Sequence, residues 1–509
     1  MGQPFGRMSV RLMHKQSRSC PRNSHICTLV RLASVFVTAL IFCSPLVGQV
    51  SPDADKQTAF RWVDENADEI REVSLHIWNS PEVALHEFKS SRELMSYLER
   101  NGFRVEKGVA NLPTAFIASY GSGKPVIALY GEYDALPGLS QVAEAERRPV
   151  VEGGAGHGCG HNLIGTGAAA AAIALSKLLG AGRIKGTLRF YGTPAEESEA
   201  SKSYMLEAGL FDDVDVLLGW HPQENTWAGF QYSKAAVSVH FMFTGVSAYA
   251  ANSPQVGRSA LKGAELLEIG VNFMREHLKD DVRISSVLTT TATQPSVVPG
   301  NAEGWYQLRT NKHQDLAELY DWVSDIAKGA ALMTHTQMAT RIEYDTHELL
   351  PNRPLAEVVD RNLRLVGIPQ FTEEDKALAI KMQQPLQKNI DLAFADRVAP
   401  LPDTPKQGFF FTDVGNVSWK VPSQVFEVSS YPFGIPIHTW QVAASAGLPI
   451  GQRAMIVAAK TLAASAIDLF KDPTLLEAAK KDFAERSRGY TYRPIAPPNR
   501  KPPLAVEGS

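Results

Sequence analysis

The stretch AGHGCGHNLIGTG, residues 155–167, places a cysteine and a histidine where both could bind one metal ion. Cys159 and His161 are two residues apart, so in an extended loop their side chains lie on the same face. A Cys–His nucleophilic pair is a second interpretation, but two positions on one rigid loop give poor geometry for proton transfer. A Gly-rich turn with incidental histidines is the third. Metal ligation fits the spacing better than the nucleophilic pair.

Two adjacent carboxylates follow in TPAEES. Glu196 and Glu197 come directly after the apolar run LRFYG. Neighbouring side chains point in different directions, so one carboxylate can bind a metal ion while the other faces a water molecule. Metal-assisted hydrolysis needs these two separate roles. One carboxylate binds the ion, and the other takes a proton from the water and passes it to the leaving amine. An isolated Glu-Glu pair is usually a solvated loop, but its place after a predicted strand favours a site.

Two further histidines, His221 in GWHP and His438 in GIPIHTW, each end an apolar stretch beside a turn. Either one alone is more often a structural histidine. Together with Cys159, His161 and Glu197 they make five donors, enough for two first-row divalent ions. The combination, rather than any single member, predicts the site.

Predicted strands and helices position these donors. Apolar runs in 125–138, 187–197 and 214–222 each end in a loop rich in Gly, Pro, acids or His, and a helix is predicted over 163–180. This alternation predicts a doubly wound α/β sheet, which binds ligands at the carboxyl ends of its strands. All candidate ligands fall at such ends or in the loop before the helix.

The pattern changes after Lys234, where alternating strands and an amphipathic helix predict a smaller α+β insertion. The C-terminal Pro-rich stretch RPIAPPNRKPPLAVEGS is expected to lack fixed structure. The predicted organisation is a signal peptide (1–48), a catalytic domain in two parts (52–233 and 346–475), an inserted domain (234–345), and a C-terminal helix with a Pro-rich tail (476–509).

Composition narrows the class of protein. The 509 residues are 44% hydrophobic and carry a formal net charge of −3, and no Lys/Arg-rich run follows residue 31. We therefore expect no nucleic-acid partner and no binding to anionic membranes.

The N-terminal 31 residues are basic, and LASVFVTALIFC (32–43) follows them. This pattern predicts a signal peptide cut after Gly48, and hence a periplasmic or secreted protein whose mature chain has no membrane span. Translation from Met8 or Met13, or an uncleaved anchor, are the alternatives. Cleavage would remove three of the four cysteines and leave Cys159 alone, without an internal disulfide.

The motifs GHGCGHN, GTPAEE, GRSAL, EGWYQLR, TDVGNVSW and HTW, in this order, resemble the co-catalytic metallopeptidase and amidohydrolase family. Aminoacylases and indole-acetyl-amino-acid hydrolases are members of that family. The resemblance extends from about Ala59 to Leu469. It implies a doubly wound, zinc-peptidase-like catalytic domain, with the insertion serving as a lid through which the chain forms a homodimer.

The resemblance also implies roles for individual residues. Glu196 is the general base and acid, Asp134 orients a ligating histidine, and Arg309 holds a substrate carboxylate. The implied cofactor is a pair of zinc, manganese or cobalt ions. Its ligands are Cys159, His161, Glu197, His221 and His438.

Three positions depart from the family pattern. Tyr249 stands in SAYAA where relatives have histidine, and Ser296 stands in QPSVVP where they have asparagine. In relatives both positions contact the substrate when the lid closes, so losing one such donor would cost roughly 3 kcal/mol of transition-state stabilisation. Asn416 replaces the usual acid.

These observations together predict a metal-dependent hydrolase for the amide bond of N-acyl or N-aroyl amino acids or small dipeptides. The first alternative, motivated by Tyr249 and Ser296, is a binding or scaffold protein that keeps the metals but has lost efficient catalysis. A cysteine-nucleophile hydrolase is the second alternative.

Overall fold

The computed structural model describes residues 53–386, 390, 392–498 and 500–503. The predicted signal peptide lies outside these residues. The helices are α1 (Ala54–Glu65), α2 (Ala67–Trp78), α3 (Phe88–Glu99), α4 (His161–Gly180), α5 (Ser201–Glu207), α6 (Ala260–Met274), α7 (His313–Thr334), α8 (Arg353–Val366), α9 (Glu373–Gln383), α10 (Val414–Ser418), α11 (Trp440–Gly447), α12 (Pro449–Lys471) and α13 (Pro473–Arg486). The strands are β1 (Arg104–Lys107), β2 (Phe116–Ser122), β3 (Val126–Gly131), β4 (Gly186–Gly192), β5 (Val216–Gln223), β6 (Gln231–Tyr232), β7 (Ala235–Thr244), β8 (Arg283–Thr290), β9 (Asn301–Thr310), β10 (Gln337–Thr346), β11 (Lys406–Gln407) and β12 (Ser423–Ser429).

The larger sheet has the order β1-β2-β4-β3-β5-β12. Its last four strands, β4, β3, β5 and β12, are mutually parallel, whereas β1 and β2 are antiparallel to their neighbours. Along β3 the side chains alternate between two cores: Ile127 and Leu129 enter one, and Val126 and Ala128 enter the other. A parallel strand buried on both faces requires helices on both sides. The predicted doubly wound α/β class is confirmed.

Helix α4 fills the core beneath this sheet. It is rich in alanine, buried along most of its length and packed against α12. Among the described residues it is the one helix long and apolar enough to cross a membrane, and its burial inside the protein is typical of a core helix. A Cβ at Gly165 would lie 2.7 Å from the carbonyl oxygen of Glu132. Glycine at this position therefore lets α4 approach the end of β3 closely.

The insertion forms an antiparallel sheet of its own, with the order β10-β7-β9-β8. Helices α6 and α7 cover one face and bury a separate core around Val239, Phe241 and Tyr306. This is the predicted α+β lid. Its predicted boundaries at 234 and 345 stay a prediction, and the sheet itself runs from Ala235 to Thr346.

The expectation that the Pro-rich tail lacks fixed structure is wrong for its described part. The Asp345 carboxylate, which is buried, accepts hydrogen bonds from the backbone N–H groups of Ile495 and Ala496. Farther on, the Arg500 guanidinium lies 4.1 Å over the Tyr204 ring and donates to the Glu343 carbonyl. Proline-rich backbone loses little conformational freedom when it is fixed, so a few strong contacts are enough to order it.

Candidate metal centre and active site

Four neighbouring parallel strands end at one edge of the larger sheet, and the candidate residues lie at that edge. Asp134 follows β3, Glu196 and Glu197 follow β4, and His221 lies near the end of β5. His438 lies in the loop between β12 and α11. Parallel strands bring segments that are far apart in sequence to the same edge.

Cys159 and His161 reach this edge from the N-terminal end of α4. His161 is the first residue of the helix, and Gly160 before it has a φ of +78°, which favours glycine. The Cys159 sulfur lies 3.3 Å from Nε2 of His221. The other ring nitrogen of His221, Nδ1, lies 2.7 Å from the Pro222 carbonyl oxygen and donates to it. This leaves Nε2 of His221 unprotonated and directed at the cysteine.

Glu197 and His438 close the opposite side of the group. Oε1 of Glu197 lies 3.3 Å from Nε2 of His438 and 3.8 Å from Nε2 of His161. His438 has a φ of 61°, rare for a residue with a side chain, and its N–H donates to the Gly158 carbonyl. Such local strain persists only where surrounding contacts hold it. The bond to Gly158 ties the His438 loop to the cysteine loop.

The five predicted ligands form two overlapping groups. One contains Cys159, His161 and His221, and the other contains Cys159, Glu197 and His438; within each group the ligand atoms lie within 4.8 Å of one another. Cys159 belongs to both groups, which suits a pair of ions that share one ligand. Sulfur, imidazole and carboxylate are ligands that zinc and similar ions prefer.

Two further observations show that these residues fit divalent ions. Nε2 of His161 is buried and has no hydrogen-bond partner among the described residues, an arrangement that is unfavourable unless something binds it. Burial and the charge of Glu197 raise the pKa of the Cys159 thiol well above its usual value. A nearby divalent cation would favour the thiolate in such surroundings. The raised pKa is the opposite of what an activated cysteine nucleophile needs.

Asp134 connects two of the ligands. Its Oδ1 lies 2.8 Å from Nδ1 of His161, and its Oδ2 accepts the backbone N–H of Glu197. The first contact makes Nδ1 the protonated nitrogen and presents Nε2 to an ion. Although burial opposes ionisation, the neighbouring His161 lowers the pKa of Asp134, which therefore stays charged. The geometry is the one that the sequence analysis expects of a residue orienting a ligating histidine.

Glu196, the candidate base, lies beside the ligands at 9% exposure. Burial and the charge of Glu132 raise its pKa well above the usual value for a glutamate. Three neighbours of Glu196 were not predicted from the sequence: Glu132, Asp413 and Lys202. Lys202 is fully buried, and its ammonium lies 2.6 Å from carboxylate oxygens of both Glu132 and Asp413. Glu132, two residues before Asp134, and Asp413 in TDVGN could be seen in the sequence as acids near predicted site residues. No sequence pattern indicated that Lys202 would lie between them.

A cavity of about 410 Å³ opens onto Glu196 and onto four of the five candidate ligands, all but His161. Arg309 from β9 lines it, as does the aromatic run Phe409, Phe410 and Phe411. The Arg309 guanidinium lies 4.8 Å over the Phe411 ring, and its buried Nε has no hydrogen-bond partner within the residues that the structure describes. Arg309 is therefore placed to meet an anionic group of a ligand in this cavity.

Tyr249 and Ser296 are not among the residues lining this cavity. They neighbour each other in the lid, where Ala250 donates its N–H to the Ser296 carbonyl and Tyr249 is 58% exposed. Their expected contacts with a substrate therefore stay a prediction. Their surroundings are set by the Tyr249–Val297 bridge within the lid.

Asn416 has a structural explanation. Its side-chain oxygen accepts the His347 N–H at 2.6 Å, and its amide nitrogen donates to the Asp345 carbonyl at 2.8 Å. An ionised acid could not donate the second bond. Asn416 therefore fastens the end of β10 to α10. His157, the remaining histidine of the cysteine loop, is buried against the Ile77 carbonyl and belongs to neither ligand group.

A set of candidate metal ligands beside a buried glutamate, at the edge of an α/β sheet, is typical of metal-dependent hydrolases. Residues 128–426 match the Peptidase family M20/M25/M40, and the chain belongs to this family. It is 39% identical to the B-type component of p-aminobenzoyl-glutamate hydrolase from Escherichia coli, over 88% of this chain and 99% of the relative. It is 29% identical to Xaa-Arg dipeptidase of mouse, over 84% of this chain and 92% of that one.

Among solved structures, a dinuclear metal-binding M20 peptidase from Bacillus subtilis shares the fold. Its TM-score is 0.52 at 17% identity, and the match covers 81% of this chain and 99% of that one. The family resemblance predicted from the motifs is confirmed, and it extends to p-aminobenzoyl-glutamate hydrolase in its B-type form. The chain is a hydrolase of amide bonds, and no observation favours the scaffold alternative.

The bridging role of Asp134 gives a test. We expect Asp134→Asn to weaken divalent-metal binding on the order of 10–100-fold. The neutral amide can still accept a hydrogen bond from Nδ1 of His161, but it lacks the negative charge that strengthens this contact. Competition with a chromogenic chelator measures this affinity. Asp375→Asn, a buried carboxylate in α9, is the matched control and should bind metal like the wild type. A change of less than threefold for Asp134→Asn would contradict this account of the ligand geometry.

Proposed function

We propose that this protein hydrolyses the amide bond of N-acyl or N-aroyl amino acids, with p-aminobenzoyl-glutamate as the first candidate and small dipeptides as the second. The observation that carries the proposal is one cavity lined by four of the five candidate ligands, by Arg309 and by the buried Glu196, which has no hydrogen-bond or ion-pair partner among the described residues; the fifth ligand, His161, lies directly against this group. The names of the two relatives, one acting on p-aminobenzoyl-glutamate and the other on Xaa-Arg dipeptides, support the same reaction.

Cys159, His161, Glu197, His221 and His438 would hold two divalent ions. When bound, such ions polarise a substrate carbonyl and lower the pKa of a water molecule. The cysteine and three histidines favour zinc or cobalt, while the glutamate also suits manganese. Loading with each ion in turn, followed by activity and elemental analysis, distinguishes them.

Glu196 moves the proton. Its carboxylate is buried at the cavity wall, and among the described residues it has no hydrogen-bond or ion-pair partner that would compete for the proton. A carboxylate with a raised pKa can take a proton from the attacking water and deliver it to the leaving amine. Adjacent Glu197 has the opposite character: although burial opposes ionisation, His438 and His161 lower its pKa, as suits a ligand.

Arg309 binds the carboxylate of the substrate. Its guanidinium can form a bidentate pair with a carboxylate, and the aromatic ring of Phe411 beneath it fixes its plane. Phe410 and Ile437 supply apolar surface in the same cavity. A substrate with an apolar acyl group and a free carboxylate matches these two kinds of surface.

Removal of the base is the direct test of this mechanism. We expect Glu196→Gln to lower kcat for p-aminobenzoyl-glutamate about 10²–10⁴-fold, because proton transfer is lost while the ligands stay in place. Metal content and KM should stay near those of the wild type. The wild type should lose activity to a chelator and regain it with added metal.

Glu199→Gln is the matched control, since Glu199 is also buried in the loop after β4 but does not line the cavity. It should keep most of the activity. Undiminished turnover by Glu196→Gln would exclude Glu196 as the base. Failure of the wild type to cleave any N-acyl amino acid or dipeptide, with metal bound, would overturn the proposed reaction.

We further propose that the chain forms a homodimer through the lid. Strand β8 lies at the edge of the lid sheet. Its exposed Leu288 side chain lies on the face of the sheet that α6 covers. On α6, Ile269 and Phe273 are also exposed and are one turn apart. An edge strand with apolar neighbours is a surface that pairs readily with another chain.

Charge placed on this surface should separate the subunits. We expect Phe273→Asp, at a residue 71% exposed, to shift the protein from dimer to monomer in sedimentation velocity, because a carboxylate would be buried at the interface. Ile380→Asp on α9, also exposed and apolar, should leave the dimer intact. A monomeric wild type would contradict the homodimer and point instead to a second type of subunit.

We also propose that the protein is exported, on the strength of the basic and apolar segments within residues 1–43. Expression of the full chain in a Gram-negative host, followed by fractionation and N-terminal sequencing, tests this. The expected product lies in the periplasm and begins at Gln49. A full-length chain in the cytoplasm would contradict the proposal.

A further inference from the structure

The ammonium of Lys202 lies inside the protein, beneath the active site. Lys202 belongs to α5, its side chain is fully buried, and its Nζ lies 5.0 Å from the centre of the Tyr130 ring. Burying a charged lysine is unfavourable unless opposite charges surround it. Two carboxylates provide them: Oε1 of Glu132 and Oδ1 of Asp413 each lie 2.6 Å from Nζ.

These two carboxylates form a group with the candidate base. Oxygen atoms of Glu132, Glu196 and Asp413 lie within 4.8 Å of one another. Three negative charges this close repel one another strongly in a buried site, and they would compete for any available cation or proton. Lys202 pairs with two of the three, and within the described part of the chain Glu196 has no partner.

The same ammonium also affects the ligands. The second oxygen of Glu132, Oε2, lies 3.6 Å from Nε2 of His161, the nitrogen that Asp134 presents toward an ion. By holding Oε1, Lys202 fixes where Oε2 lies relative to His161. Asp413 is anchored independently as well, because its Oδ2 accepts the backbone N–H of Lys202 at 2.9 Å.

We propose that Lys202 is a positioning residue, a fixed internal cation that pairs with Glu132 and Asp413 and so leaves Glu196 as the free carboxylate of the three. This inference rests on the proposed function. Without the ammonium, the carboxylates of Glu132 and Asp413 would lose the cation that lies between them and would repel each other and Glu196, so the position of Glu196 beside the ligands would change. A purely structural lysine would fill space between α5 and α10 and have no such effect.

The test compares a variant that lacks the positive charge of Lys202 with a double variant in which one neighbouring negative charge is removed as well. Lys202→Met removes the positive charge while keeping most of the side-chain volume, and Lys202→Met/Asp413→Asn restores the net charge of the group. For Lys202→Met we expect kcat to fall at least tenfold while KM changes less than threefold and metal content is retained. The double variant should recover most of kcat, since the repulsion is relieved.

Melting temperatures of metal-free protein give a readout that does not need turnover. Lys202→Met should melt below the wild type, and adding Asp413→Asn should raise the melting temperature again. The matched control is Lys56→Met. Lys56 in α1 is mostly buried and pairs with Asp468 in α12, so its substitution should leave kcat unchanged.

A kcat for Lys202→Met within threefold of the wild type would overturn the proposal. So would a double variant that is no more active and no more stable than Lys202→Met, or one that does not fold, since either would show that restoring the net charge of the group does not replace Lys202. If Lys202→Met alone does not fold, the double variant decides between these results. If the wild type cleaves no substrate, the proposed function fails, while the melting temperatures still test the charge role of Lys202.

Discussion

The carboxylate of Asp134 joins the parts of the site that come from different places in the chain. One oxygen fixes the ring of His161 at the start of α4, and the other fixes the backbone at Glu197 after β4. Asp134 itself follows β3, which lies beside β4 in the sheet. Three segments are thus held by one buried side chain, and the ligand atoms of His161 and Glu197 face the same point as a result.

Such a site is costly to fold without ions, because it gathers acids where water is scarce. The protein limits this cost by giving most of the acids a partner. Glu87, for example, whose pKa rises to about 8 through burial and the nearby Asp134, accepts the backbone N–H of Ala195 and the hydroxyl of Thr114. Its contact with Ala195 supports the loop that carries the base. Glu196 differs from these acids in having no hydrogen-bond or ion-pair partner in the part of the chain that the structure describes, and the proposed proton transfer requires that freedom.

The sequence was sufficient to predict the fold class and to single out five candidate ligands that the structure brings together, for a physical reason. Parallel strands must bring their carboxyl ends to one edge, so acids and histidines at those ends had to meet, as His221 and Glu197 do. The antiparallel β1 and β2 carry no ligand and were not predicted. Lys202 was not predicted either, because its partners Glu132 and Asp413 are 70 and 211 residues away.

Sequence patterns say less where a residue's surroundings depend on long-range contacts. Tyr249 and Ser296 lie in neighbouring segments of the lid, and their role toward a substrate stays a prediction. The Pro-rich tail looked unstructured because its composition offers no apolar periodicity. Its order depends on Asp345 and Glu343, at the far end of β10.

The central claim is that the two overlapping ligand groups hold two ions with Cys159 between them. Anomalous diffraction from crystals grown with zinc, measured on both sides of the zinc absorption edge, tests it most directly. The account predicts two peaks, each about 2.0–2.3 Å from its ligand atoms, with the Cys159 sulfur within reach of both. A single peak, or peaks bound by residues other than Cys159, His161, Glu197, His221 and His438, would contradict it.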